Sequence, residues 1–199
     1  MMLSAIFRKA ALGLLLVAGT LGAAAQTDAK PVTFIPEAGV VISRPKTDAT
    51  QGRAGFTVGC QMQWLWQKNS RGSGWLLVSG LSLTSKPFKQ HSETASPGYL
   101  QLPVRIGGRC VFRNGWWADC TVGGYVAERL WGSLDNGWTG TPDGLKLRNF
   151  DAGVTCEIGI AYKRVRLAGY CERGFVSMAL VQPMSYHNFG GGIKLGFCF

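Results

Sequence analysis

Charge is sparse in this chain: only 16% of its 199 residues are Asp, Glu, Lys or Arg, and only 11 of those are acidic. Histidine is scarcer, with His91 and His187 alone. Neither stands in a Ser-His-acid or Glu-x-x-His spacing, so the sequence offers no catalytic triad and no histidine-based metal site. Ser85, Ser92 and Ser96 near His91 are the one place where a rim hydrolase or acyltransferase stays open. Past residue 25 there is no run of 18 apolar residues, which excludes a transmembrane helix. Gly190-Gly-Gly192 is followed by neither a helix nor Lys-Ser/Thr, which excludes a phosphate-binding loop.

What is present begins with a three-part leader. Arg8 and Lys9 precede an apolar run over residues 10–17, and Ala23-Ala24-Ala25 stands ahead of Gln26. That layout is a secretory signal peptide, residues 1–25, cut after Ala25. No Cys follows the cut, so a lipoprotein is not indicated. Residues 26–199, about 174, suffice for one domain. The leader removes two of the 21 basic residues and no acidic one, so the formal charge falls from +10 to +8. In an exported chain that surplus faces anionic lipid or lipopolysaccharide, not nucleic acid.

From Val32 onward apolar residues alternate with small or polar ones, punctuated by Gly, Pro and Asn, which is the signature of strands. Eight segments stand out, at residues 32–42, 55–66, 74–84, 99–112, 117–129, 149–162, 165–177 and 188–199. Most are near the length of a tilted membrane strand. Their connections alternate short and long, matching the short periplasmic turns and longer outer loops of outer-membrane barrels. Spanning with strands requires closure, because an open edge would leave backbone groups unpaired in hydrocarbon. The expected fold is therefore all-β, an eight-stranded antiparallel up-and-down transmembrane barrel in the cell outer membrane.

One face of each segment is apolar: Phe56, Val58, Cys60, Met62, Trp64 and Trp66 in the second, Val154, Cys156, Ile158, Ile160 and Tyr162 in the sixth. A soluble ligand-binding barrel would turn that face inward. Two features favour the membrane. Gly and charged residues share the other face, which suits a narrow lumen, and aromatics such as Trp64, Trp75, Trp116, Tyr162 and Phe197 gather near segment ends, as interfacial girdles do. The glycines at 190–192 then mark a crowded lumen or a tight strand crossing.

The inward charges are Arg105, Arg109, Asp119, Glu157, Arg166, Glu172 and Lys194. An eight-stranded lumen is just wide enough for side chains, so these must pair into a structural plug in preference to lining a pore. Cys60, Cys110, Cys120, Cys156 and Cys171 fall on the apolar face as small hydrophobes, and Cys198 on the lumen face. Thiolates in lipid without His or carboxylate neighbours make no metal centre, and no cofactor is implied. A two-residue turn at Lys163-Arg164 would set Cys156 opposite Cys171, in a hydrogen-bonded pair. A three-residue loop at residues 114–116 would set Cys110 opposite Cys120.

Several motifs resemble the small PorT-like outer-membrane β-barrel family: Tyr99-Leu-Gln-Leu-Pro103, Gly123-Gly124-Tyr125, Phe150-Asp151-Ala-Gly153, Gly169-Tyr170 and a closing aromatic, Phe199. The resemblance spans residues 32–199 and implies an outer-membrane location without a substrate. It also casts Phe199 as a signal to the barrel-assembly machinery. The functional expectation is a monomeric barrel with a structural or interaction role, no catalysis, and a contact surface on the long loop carrying Trp131, Asp135, Trp138 and Asp143. A lipid- or lipopolysaccharide-modifying rim enzyme and a small passive pore are the alternatives.

Overall fold

Wherever the sequence alternates, the chain forms a strand. The computed structural model describes residues 32–45, 50–67, 69–70, 72–90, 93–112, 114–131, 149–176 and 187–199; the expected leader lies outside them. The long strands are β1 (Val32–Pro45), β2 (Thr50–Trp66), β3 (Gly74–Ser85), β6 (Gly98–Val111), β7 (Trp116–Trp131), β8 (Phe150–Tyr162), β9 (Val165–Gly174) and β10 (Asn188–Phe197). Two short strands, β4 (Phe88–Gln90) and β5 (Glu93–Ala95), lie between β3 and β6.

Each long strand pairs antiparallel with the next long strand. β1 pairs on both sides, from Glu37↔Gly196 to Pro45↔Asn188 with β10 and from Val32↔Trp64 to Ser43↔Arg53 with β2. The order β1-β10-β9-β8-β7-β6-β3-β2 therefore returns to its start, and the eight long strands are a closed up-and-down barrel. Closure pairs every strand of the wall, the condition for a sheet in hydrocarbon.

The polarity is inside out. Ile42 is 62% and Ile158 64% exposed on the outer wall, while Arg166 and Glu157 are each 1% exposed inside. At the end with the short turns, Trp64, Trp75, Phe112, Trp116, Tyr162, Phe197 and Phe199 are all exposed, forming one girdle. Trp116 packs on Tyr162 and Phe197 on Phe199, with ring centres 4.9 and 5.0 Å apart. A wall of this kind is stable only where lipid replaces water.

Several boundaries differ from the sequence reading: β1 runs on to Pro45, for example, and β9 stops at Gly174. β2 begins at Thr50 instead of residue 55, because Thr50, Gln51 and Gly52 run past the wall and pair with β4. The stretch expected to be a plain loop after β3 thus holds a small hairpin, β4 with β5. The β6–β7 loop sits one residue earlier than expected: Phe112 N donates to Trp116 O, and the left-handed φ values fall at Asn114 and Gly115. Asn and Gly tolerate that conformation, so the loop centres there.

Candidate functional site

Period-two alternation delivers the charged side chains to the lumen, and closure brings them together from strands far apart in sequence. Glu157, in the middle of β8, is the hub. Its Oε1 accepts from Gln61 Nε2 at 2.8 Å and from Arg166 Nη2 at 2.9 Å. Its Oε2 accepts from Lys194 Nζ at 3.0 Å and lies 3.2 Å from Arg105 Nη2, an ion pair without hydrogen-bond geometry. Gln61 and Lys194 then both reach Glu37, each donating to one of its carboxylate oxygens at 2.8 Å.

Below this hub, towards the short turns, Arg166 grips Asp119 with two bonds, Nε to Oδ2 at 3.0 Å and Nη2 to Oδ1 at 2.5 Å. Gly159 makes room for it, since a Cβ there would collide with the guanidinium. At the very end Arg109 donates to Gln63 Oε1 and lies 4.0 Å above the ring of Trp117.

Above the hub a second cluster closes the mouth. Lys86, in the segment after β3, turns into the barrel and is fully buried, its Nζ 2.5 Å from Glu172 Oε1 and 4.0 Å from Asp151 Oδ2. It lies over the rings of Tyr125 and Tyr99, 5.0 and 5.4 Å from their centres. Asp151 accepts from Tyr125 OH at 3.0 Å and Asn188 Nδ2 at 3.4 Å, while Gln101 Nε2 donates to Glu172 Oε2 at 2.8 Å. The backbone pins the lysine: Lys86 N donates to Pro97 O at 2.9 Å.

All seven expected lumen charges thus share one interior. Six are buried, and Arg109 is half-buried at its end. Glu37, Lys86 and Asp151 were missing from the expected set. Glu37 is legible in retrospect, being in phase with Ile35 and Val41 between outward Pro36 and Ala38, whereas Lys86 follows the end of β3 and obeys no period. With Asp151, the described residues place five carboxylates (Glu37, Asp119, Asp151, Glu157, Glu172) and five cations (Lys86, Arg105, Arg109, Arg166, Lys194) in the interior. Among the described residues these ten charges balance. Between hub and mouth, a cavity of about 10 Å³ touches Thr57, Gln101, Arg105, Tyr170 and Lys194. That is room for about one water molecule.

The cysteines divide as their phase demands: Cys198 is buried, and the other five are exposed or half-exposed on the outer wall. Tyr162 faces Val165 across the Lys163-Arg164 turn, and Cys156 faces Cys171 with the sulfurs 3.0 Å apart. The pairing of Cys110 with Cys120 is overturned. Cys110 faces Ala118, and Cys120 faces Gly108, because the earlier loop shifts the register by two. Cys156 and Cys171 are expected to be found as a disulfide in protein isolated from membranes, the two electrons and two protons passing to a disulfide of the oxidising compartment. Alkylation of unreduced, denatured protein should modify four of the six cysteines, and reduction should release the two mapped to 156 and 171. Six modified before reduction would refute the bond.

Of the expected contact surface, Trp131 ends β7 with its ring over Gly98 and is 40% exposed. Asp135, Trp138 and Asp143 lie outside the described residues, as do His91 and Ser92. His187 is half-buried just before β10.

No protein-family model matches the chain, and no curated protein sequence matches it. Solved structures resemble it in outline. Ail, the attachment invasion locus protein of Yersinia pestis, is 11% identical with a TM-score of 0.45, over 84% of this chain and 99% of that one. The outer membrane protein OprG from Pseudomonas aeruginosa is 12% identical with a TM-score of 0.47, over 84% and 95%. The outer membrane enzyme PagL is 13% identical with a TM-score of 0.44, over 79% and 97%. By its own closed wall, polar within and apolar around its girth, this chain is a small outer-membrane β-barrel protein.

Proposed function

We propose that the protein serves the outer membrane as a rigid, plugged scaffold, with a structural or interaction role carried by its loop end and no catalytic step. The observation that carries this reading is the cross-linked lumen, whose ten described charges balance. Ten charges bridge the wall from Glu37 on β1 to Lys194 on β10, with Lys86 seated as a stopper at the mouth. Such an interior resists deformation and holds the loops at fixed spacing, the arrangement in which loops bind. It also speaks against a passive pore, since an ion would have to displace paired charges that fill the section.

On this reading the loop after Trp131, with Asp135, Trp138 and Asp143, is the contact surface, and surrounding lipid and lipopolysaccharide are the constant neighbours of a monomeric barrel. Phe199, whose backbone N–H bonds Phe34 O at 3.0 Å beside the closing seam, is the aromatic end offered to the barrel-assembly machinery. The finer family reading is PorT-like. Of its motif residues, Tyr99 and Tyr125 flank the buried Lys86.

The test is a detergent extract run on a gel with and without boiling, paired with conductance across a planar bilayer. Expected are a shift in mobility on boiling and no single-channel current. Aqueous solubility without a boiling shift would end the barrel reading, and steady unitary currents would end the plugged one.

A further inference from the structure

Across three adjoining strands Arg44 (β1) faces Phe189 (β10), and Phe189 faces Arg173 (β9). All three side chains are exposed on the outer wall at the loop end. The two arginines stand two strand spacings apart, about 10 Å. Neither joins an ion pair among the described residues. Eight residues separate Arg173 from Val165 at the opposite end of β9, which for a tilted strand is about 20 Å of height. That sets the pair near the outer limit of the hydrocarbon, where headgroups begin.

Directly beneath, the wall carries only small residues, a shallow furrow by their lack of bulk. The next outward positions are Cys171 on β9 with Gly191 on β10, then Gly169. A Cβ added at Gly169 would meet nothing within 4 Å. The furrow is edged by exposed Ile158 on β8 and by Ile42 and Ile193 towards β1. Lower down, on β1, β2 and β10, an apolar hollow of about 470 Å³ opens among Pro36, Ala38, Val58, Leu195 and Phe197. It lies roughly 15 Å below the arginines, within reach of a lipid tail.

We propose that Arg44 and Arg173 bind the phosphate of a phosphorylated lipid of the outer leaflet, with one of its acyl chains lying in the furrow at Gly169 and Gly191. Unpaired guanidinium groups at headgroup height are matched in charge and hydrogen-bond geometry by phosphate. The furrow directly below distinguishes a lipid from a free anion, because only a lipid carries a tail to fill it. The site rests on the membrane-barrel reading and adds to it a defined ligand class and position.

The experiment uses the full exported protein, reconstituted in phosphatidylcholine vesicles with or without added lipid A and then recovered in mild detergent for native mass spectrometry. Wild type is expected to retain lipid A adducts, and R44Q/R173Q to retain about thirtyfold less, each arginine near an anionic surface contributing roughly five- to sixfold. G169L keeps the cations and fills the furrow; it should lower retention of lipid A while leaving the weak binding of inorganic phosphate unchanged. Both variants should still shift on boiling, showing an intact barrel. Undiminished lipid A on a folded R44Q/R173Q barrel would overturn the site, as would displacement of lipid A by inorganic phosphate at low concentration. Failure of wild type to enter vesicles at all would instead refute the barrel reading beneath it.

Discussion

Replacing Glu157 by Ala should lower the stability of the membrane-inserted barrel by about 3–5 kcal/mol, the cost of leaving buried charge without its partner. Three cations, Arg105, Arg166 and Lys194, converge on this one carboxylate. Its removal leaves Lys194 only Glu37, Arg166 only Asp119, and Arg105 no carboxylate partner among the described residues. Glu157→Gln keeps the shape and still accepts from Gln61, yet loses the charge, so it should recover only a minor part of the loss. The double variant E157A/K194M removes one of the three cation partners along with the anion. It should therefore be less destabilised than the sum of its single changes. Urea titration of vesicle-inserted protein, followed by tryptophan fluorescence, measures all four. An E157A midpoint equal to wild type would mean that water already solvates the lumen, and the plugged reading would fall with it.

The same network shows how far sequence carries and where it stops. The eight strands of the wall, their order and the face each strand residue takes were legible, because a period of two is a local property that survives without tertiary information; the short hairpin of β4 and β5 was not. Arg105, Asp119, Glu157, Arg166, Glu172 and Lys194 could be assigned to one interior on that basis alone. Their partners could not. Which carboxylate meets which cation depends on the register between strands that close across the barrel, as with Glu37 on β1 and Lys194 on β10, 157 positions apart. Register in turn hangs on turn chemistry. The Lys163-Arg164 turn was read correctly and placed Cys156 opposite Cys171. The β6–β7 loop sits one residue earlier than its length alone implies because Asn114 and Gly115 take the left-handed positions, which parts Cys110 from Cys120. Lys86 had no local signal, since it belongs to no strand. Its role depends on a connection folding back over the mouth.

Ile158→Arg should cost about 2–4 kcal/mol in a bilayer, while Tyr162→Arg, four residues nearer the end of the same strand, should cost about 0–1 kcal/mol. Both side chains point outward from β8, Ile158 64% and Tyr162 42% exposed, so neither change disturbs the lumen. The difference arises only from depth. Ile158 faces Cys120 on β7 and Gly169 on β9, well inside the apolar belt, whereas Tyr162 adjoins the turn and stacks with Trp116 in the girdle. A guanidinium at the middle of the wall must leave water or drag it inward, and one at the girdle reaches the headgroups by extending its stem. A soluble barrel gives the opposite expectation, because adding charge to an exposed apolar wall in water leaves stability nearly unchanged and improves solubility. Unfolding titrations of both variants in vesicles therefore discriminate between the two environments for one wall. Equal, small losses would place that wall in water, and a loss that grows with depth would place it in lipid.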